Sequence, residues 1–161
     1  MQNYPPLIAV LGPTAVGKTA ISFQLASDFD GEIVSADSRQ IYRGLDIGTD
    51  KIEALRRDSV PHHLLDVVEP DAFFTLAQYQ RAAFNAIDDI HQRGGIAFLV
   101  GGTGLYVRAV LEGLGIPEAP PNETIRGELY DFWETQGAQA LHKRLQGLDP
   151  DAAAKIDPRN V

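Results

Sequence analysis

The sequence predicts an α/β protein: a three-layer core on a parallel sheet, followed by helices alone. Three observations point there. The apolar run Leu7–Leu11 ends directly in a glycine-rich turn that opens a helix, strand-then-helix units recur as far as Leu111, and no strand pattern appears beyond Ile116. Strands that alternate with helices come together in parallel, with the helices covering both faces of the sheet. The expected boundary separates a core at residues 1–116 from the start of a helical insertion at residues 117–161. Nothing closes that helical layer after Asp157-Pro-Arg-Asn-Val161, so a truncated sequence is expected.

Each element has its own signal. Leu7–Leu11 (LIAVL) reads as a buried parallel strand. The next segment, KTAISFQLASDF, reads as a helix with Ile21, Leu25 and Phe29 facing the core and Gly31 ending it. A second strand is predicted at Glu32–Ala36, and the polar stretch Asp37–Pro61 reads as loop with short helical pieces. A third strand is predicted at Leu64–Val68. Thr75-Leu-Ala-Gln78 is a capping-box pattern, opening a helix to about Gln92 that Gly94-Gly95 stops. Ile96–Val100 is the fourth strand; Gly101-Gly102-Thr103-Gly104 then turns the chain into a helix through Leu111. Ile116–Pro121 reads as a linker, with helical segments after it at Glu123–Gln136, Ala138–Gln146 and Pro150–Ile156.

Composition narrows the function. With 161 residues, 44% hydrophobic and 22% charged, the chain can bury a core. It has no cysteine, which excludes disulfides, thiolate metal sites and a cysteine nucleophile. No basic stretch precedes a long apolar run, and none approaches the roughly 20 apolar residues that cross a bilayer, so a soluble, cytoplasmic protein is expected. The net charge of −8 argues against broad, sequence-blind binding to nucleic acid, and any RNA contact must be local. Arg39, Arg43, Lys51, Arg56, Arg57, His62 and His63 are interleaved with Asp46, Asp50, Glu53 and Asp58, which reads as a solvated surface.

Gly12-Pro13-Thr14-Ala15-Val16-Gly17-Lys18-Thr19 fits the phosphate-loop pattern G-x-x-x-x-G-K-[ST] between a predicted strand and a predicted helix. Its backbone N–H groups and the helix N-terminus form a concave positive site for phosphate oxygens, so the core reads as P-loop NTPase-like. Lys18 would reach the phosphate oxygens and the Thr19 hydroxyl would ligate Mg²⁺. The motif reads phosphates only, leaving the identity of the ligand open.

Asp37-Ser38-Arg39-Gln40 follows the second strand, at the carboxyl end where open parallel sheets hold ligands. Asp37 would hold Mg²⁺ or accept a proton there, or else Asp37 or Ser38 caps a helix starting at Arg39. Thr103 sits after the fourth strand on the same edge, in a turn whose glycines allow close approach to a ligand. Asp66 is a second candidate carboxylate for the metal. His62-His63 would bind metal or phosphate, although adjacent side chains point apart and loop structure is the better reading.

Taken together, these motifs resemble the tRNA dimethylallyltransferases. The resemblance rests on GPTAVGKT at 12–19, DSRQIYRGLDIGTDK at 37–51, VPHHLLD at 60–66, RGGIAFLVGGTGLYVRAVLEGL at 93–114 and IRGEL at 125–129. It implies transfer of a dimethylallyl group from its diphosphate to N6 of the adenine immediately 3′ of a tRNA anticodon. On that resemblance Gly12–Thr19 cradle the diphosphate, with Thr14 adding a hydroxyl, while Lys18 and Mg²⁺ on Thr19 stabilise the leaving group. Asp37 becomes the acceptor of the amine proton. Ser38, Arg39, Gln40, Thr103 and Arg126 would contact the tRNA anticodon loop around a base drawn out of its stack. A monomer is expected. Rival readings are a P-loop small-molecule or nucleotide kinase, a prenyltransferase acting on free adenine nucleotides, and a nucleotide-binding regulatory module.

Overall fold

The computed structural model describes residues 6–49, 51–52, 57–116 and 122–159. Asp50, Glu53, Arg56 and most of the expected linker lie outside the described residues. The chain divides into two compact units, Met1–Pro117 and Glu118–Val161.

In the first unit the order is β1 (Leu7–Leu11), α1 (Lys18–Asp28), β2 (Gly31–Ala36), a 3-10 turn at Ile47–Thr49, β3 (His62–His63), α2 (Leu76–Gln92), β4 (Ile96–Gly101) and α3 (Gly104–Leu111). The sheet runs β1-β4-β2-β3 with every pairing parallel. Neighbouring residues of a strand face opposite ways, and each face of β2 and β4 has its own core. Ile33 and Phe98 join Ala26 of α1 and Val60 on one side; Val34 and Leu99 join Tyr79, Ile87, Ile90 and Tyr106 of α2 and α3 on the other. Two cores separated by one sheet make the three layers that the sequence predicts.

The best-signalled element is α2. Its buried residues Tyr79, Ala83, Ala86, Ile87 and Ile90 line one face. The capping box is complete: Gln78 N–H donates to Thr75 Oγ1 (3.2 Å) and Thr75 N–H to Gln78 Oε1 (2.8 Å).

Three expectations need correction. On α1 the buried residues are Ser22 and Ala26; Leu25 packs against the core as expected, whereas Ile21 and Phe29 are 55% and 59% exposed. The left-handed Gly17 fixes where this helix starts and so its phase, and small residues let it settle close on the sheet. Gly31 does not end α1 but opens β2, where a methyl group would run into the Phe98 ring; the turn is made by Asp30 at φ 51°. The third strand is His62–His63 rather than Leu64–Val68, because Leu64 and Asp66 take left-handed φ values of 62° and 56° that no strand tolerates. Only Val68 of that run pairs, through a parallel bridge to Tyr42.

The second unit consists of α4 (Glu123–Gln136), α5 (Ala138–Leu148) and α6 (Pro150–Ala153). Gly137, at φ 80°, ends α4 and starts α5. Asn122 caps α4 and Asp149 caps α6, accepting from Ile125 N–H (3.0 Å) and Ala152 N–H (2.9 Å). The helix α5 runs two residues beyond its expected end, and α6 stops at Ala153 rather than at Ile156. No residue of α4 or α5 is buried. Among the described residues, no helix is long and apolar enough to cross a membrane.

Candidate functional site

The strand β1 runs into a loop whose last residue, Gly17, has φ 90° and is the N-cap of α1 without any side-chain cap. Glycine is needed for that left-handed turn, and no side-chain cap takes the opening amides of α1. Lys18 Nζ arches back to the Pro13 carbonyl oxygen at 2.6 Å, so the ammonium lies over its own loop.

Parallel pairing then decides what stands beside this loop. Gly101 of β4 is in register with Leu11 of β1 on one side and with Ala36 of β2 on the other. Three loops therefore leave the sheet from one rung and one edge: Gly12–Gly17, Asp37–Gln40 and Gly102–Thr103. The glycines permit this crowding. A methyl group at Gly101 would collide with the Ala36 backbone, and one at Gly102 would lie 2.9 Å from the Gly12 carbonyl oxygen and 3.9 Å from Lys18 Nζ.

Thr103 ties the middle loop to the Asp37 loop. Its N–H donates to the Ala36 carbonyl (3.1 Å), and its Oγ1 accepts from Ser38 N–H (2.9 Å) and donates to Ser38 Oγ (3.2 Å). The hydroxyl makes no cap bond to α3, although Thr103 is the N-cap residue. Asp37 Oδ1 accepts from Arg39 N–H (2.9 Å) and Gln40 N–H (3.4 Å), a side-chain turn that leads into no helix. That turn uses only Oδ1 and leaves Oδ2 for other work. Arg39 is exposed.

Gln40 points inward. Its Nε2 donates to the Thr49 carbonyl (2.8 Å) and its Oε1 accepts from Ser35 Oγ (3.3 Å). Thr19, Ser22, Ser35, Gln40, Ile52 and His62 border a cavity of about 30 Å³, so the start of α1 and the Asp37 loop share one polar space. It is large enough for a water molecule. Beneath it, Tyr79 Oη donates to the Ser35 carbonyl (3.1 Å), and the Tyr79 ring stacks on Tyr106 at 3.7 Å. Burial pushes the Tyr79 hydroxyl far above its ordinary pKa and keeps it a donor. Burial, and after it the neighbouring Tyr42 and Asp37 side chains, raises Tyr106 as well.

Other candidates move away from the site. Asp66 is no metal carboxylate: Lys51 Nζ takes Oδ1 at 2.7 Å and Arg57 takes Oδ2 at 2.7 Å. Part of the stretch read as a solvated surface is thus internal, with the Lys51 side chain at 0% exposure. His62 Nδ1 lies 2.7 Å from the Val60 carbonyl and burial lowers its pKa, while His63 Nε2 meets Glu32 Oε2 at 2.6 Å. Among the described residues, no three His, Asp or Glu side chains gather as a metal site. Arg126, in the second unit, is 60% exposed at its side chain and lies 3.7 Å from Glu123. Ser35, Thr49 and Tyr79 escaped the sequence reading: Ser35 and Thr49 accept through their carbonyls, and Tyr79 reads as one more position on the buried face of its helix.

The comparisons with known proteins agree in direction. The IPP transferase family model matches residues 40–161. The chain is 52% identical over 161 residues to the tRNA dimethylallyltransferase of Thermomicrobium roseum, covering 49% of that protein. It is 56% identical over 156 residues to that of Roseiflexus sp., covering 51% of it. Among solved structures, the full-length tRNA isopentenylpyrophosphate transferase of Bacillus halodurans superposes with a TM-score of 0.67 at 50% identity, over 96% of this chain and 51% of that one. A eukaryotic dimethylallyltransferase acting on tRNA gives a TM-score of 0.80 at 31% identity, over 97% of this chain and 39% of that one. The chain spans about half the length of the curated relatives it matches.

Proposed function

This chain belongs to the IPP transferase family, and from that premise we propose that it carries the donor cradle and the proton acceptor of a tRNA dimethylallyltransferase. Its reaction transfers a dimethylallyl group from dimethylallyl diphosphate to N6 of the adenine 3′ of the anticodon. The observation that carries this reading is the common edge: Lys18 Nζ, Gly102, Thr103, Ser38 and Asp37 follow one another across it.

In this reaction the allylic C–O bond breaks with its electron pair leaving on the diphosphate, and the N6 lone pair forms the new C–N bond. The amides of Gly12–Thr19 and the Lys18 ammonium bind the phosphate oxygens, and Lys18 gives up its bond to Pro13 to do so. The Thr19 hydroxyl, at the start of α1, would hold Mg²⁺ together with the substrate phosphates and water, as the last residue of the G-x-x-x-x-G-K-[ST] pattern does. Held there, Mg²⁺ supplies charge neutralisation for the leaving group. Asp37 takes the N6 proton on the oxygen its turn leaves unused. Ser38, Arg39, Gln40 and Thr103 form the acceptor side, and Arg126 belongs to the RNA-contacting residues of the second unit.

The purified chain is expected to bind dimethylallyl diphosphate with Mg²⁺ in preference to ATP, and the Lys18→Ala variant to lose that binding. A full-length protein carrying this sequence transfers labelled dimethylallyl groups to unmodified tRNA, and Asp37→Ala cuts turnover by about a hundredfold or more while donor affinity is kept. ATP consumption without labelled tRNA would support the kinase instead.

A further inference from the structure

Lys51 closes the segment that leads away from Asp37, and its ammonium is out of solvent. Nζ donates to three oxygens: the Tyr42 carbonyl at 2.8 Å, Asp46 Oδ1 at 2.9 Å and Asp66 Oδ1 at 2.7 Å. Two of these acceptors belong to the segment itself, and the third stands after β3. An ammonium has three hydrogens, so all are used and its orientation is fixed. Asp66 is the anchor of the set. Arg57 holds its other carboxylate oxygen, and Arg43 Nε donates to its backbone carbonyl at 2.8 Å. Main-chain bonds follow the same seam: Asp66 N–H to the Gln40 carbonyl (3.2 Å), Val67 N–H to Ile41 (2.9 Å) and Arg43 N–H to Val68 (2.9 Å).

We propose that Lys51 is a positioning residue: by tying Tyr42 and Asp46 to Asp66 it fixes the loop whose Thr49 carbonyl holds Gln40, and thereby the Asp37–Gln40 face offered to the acceptor adenine. This rests on the acceptor role given to that face above. A buried charge of this kind contributes little net stability compared with apolar packing and is better suited to selecting one geometry. With every hydrogen spent inside the protein, Lys51 does not serve as a phosphate contact for RNA. The charges balance locally, with Lys51 and Arg57 against Asp46 and Asp66, and Asp46 is 62% exposed, so Asp66 is the main partner.

Lys51→Met keeps most of the apolar stem of the side chain and removes the ammonium with its three hydrogen bonds. In the 161-residue chain, amide exchange in residues 39–49 is expected to speed up by about tenfold or more, while the amides of α1 keep their wild-type rates. Affinity for an unmodified anticodon stem-loop RNA falls by about tenfold, and affinity for dimethylallyl diphosphate with Mg²⁺ stays within about twofold. Unchanged exchange in residues 39–49, or donor affinity falling in step with RNA affinity, overturns the proposal, the latter being the mark of a merely structural role. Asp66→Asn, which leaves Lys51 an oxygen but no charge, carries the same comparison if the Lys51 variant does not fold. A wild-type chain that binds neither ligand counts against the prenyl-transfer reading, and the exchange measurement then decides the positioning role by itself.

Discussion

At Asp66, burial raises the carboxyl pKa, but the hydrogen bonds and positive charges of Lys51 and Arg57 outweigh it and leave the group below its ordinary value of 3.8. A carboxylate whose native pKa is depressed contributes stability that is fully present above the unfolded value and is lost as pH falls through the native one. Urea midpoints measured from neutral pH down through that window should therefore drop in the wild type and run flatter in Asp66→Asn. Equal slopes would mean that the ion pairs seen here do not act in solution. Glu32, also lowered, with Arg93 and His63 as its partners, adds the same sign of slope to both proteins and cancels in the comparison. The identity of Asp66 was readable in the sequence, but its role was not. A carboxylate after the Leu64-Leu65 pair was a candidate metal ligand, and only folding placed Lys51 and Arg57, fifteen and nine residues away, on its two oxygens.

Among the elements, α2 was legible because its information is local. Thr75 and Gln78 satisfy each other's backbone within one turn, and the buried stripe repeats at helical spacing. Thr75→Ala removes the acceptor for Gln78 N–H and is expected to cost about 1 kcal/mol in urea unfolding, with the site untouched. A loss of donor binding in that variant would show that α2 is coupled to the Gly12–Gly17 loop. The opposite case is α1, where Ile21 and the C-cap residue Phe29 face solvent here. Its phase follows from the Gly17 turn, and no pattern inside the helix reports that. The third strand was misplaced for a related reason: Leu64 and Asp66 look extended by composition, yet the seam to Gln40 and Ile41 bends them into left-handed conformations.

At the scale of the whole molecule the two units are built differently. Among the described residues, nearly all fully buried side chains, Tyr79, Phe98, Ile90, Leu99 and Val34 among them, belong to the first unit, whereas α4 and α5 bury none. Between these helices lies an open groove of about 650 Å³ with Ile125, Leu129, Tyr130, Trp133, Leu141 and Leu145 on its walls. Amides with few buried contacts open at low free energy. Hydrogen exchange should therefore find the slowest amides in β2, β4 and α2, with α4 and α5 exchanging far sooner; uniform protection across both units would refute this.

The sequence by itself determined the Gly12–Gly17 turn between strand and helix, the alternation of strands and helices, and the α2 cap, because each is written within a few neighbouring positions. Tertiary structure decided which loops share an edge, which face of α1 is buried, and that Lys51 is an internal clamp rather than a surface charge. The physical reason is the parallel register: it sets Gly101 between Leu11 and Ala36, ninety and sixty-five positions away, and no local pattern can encode a distance of that kind.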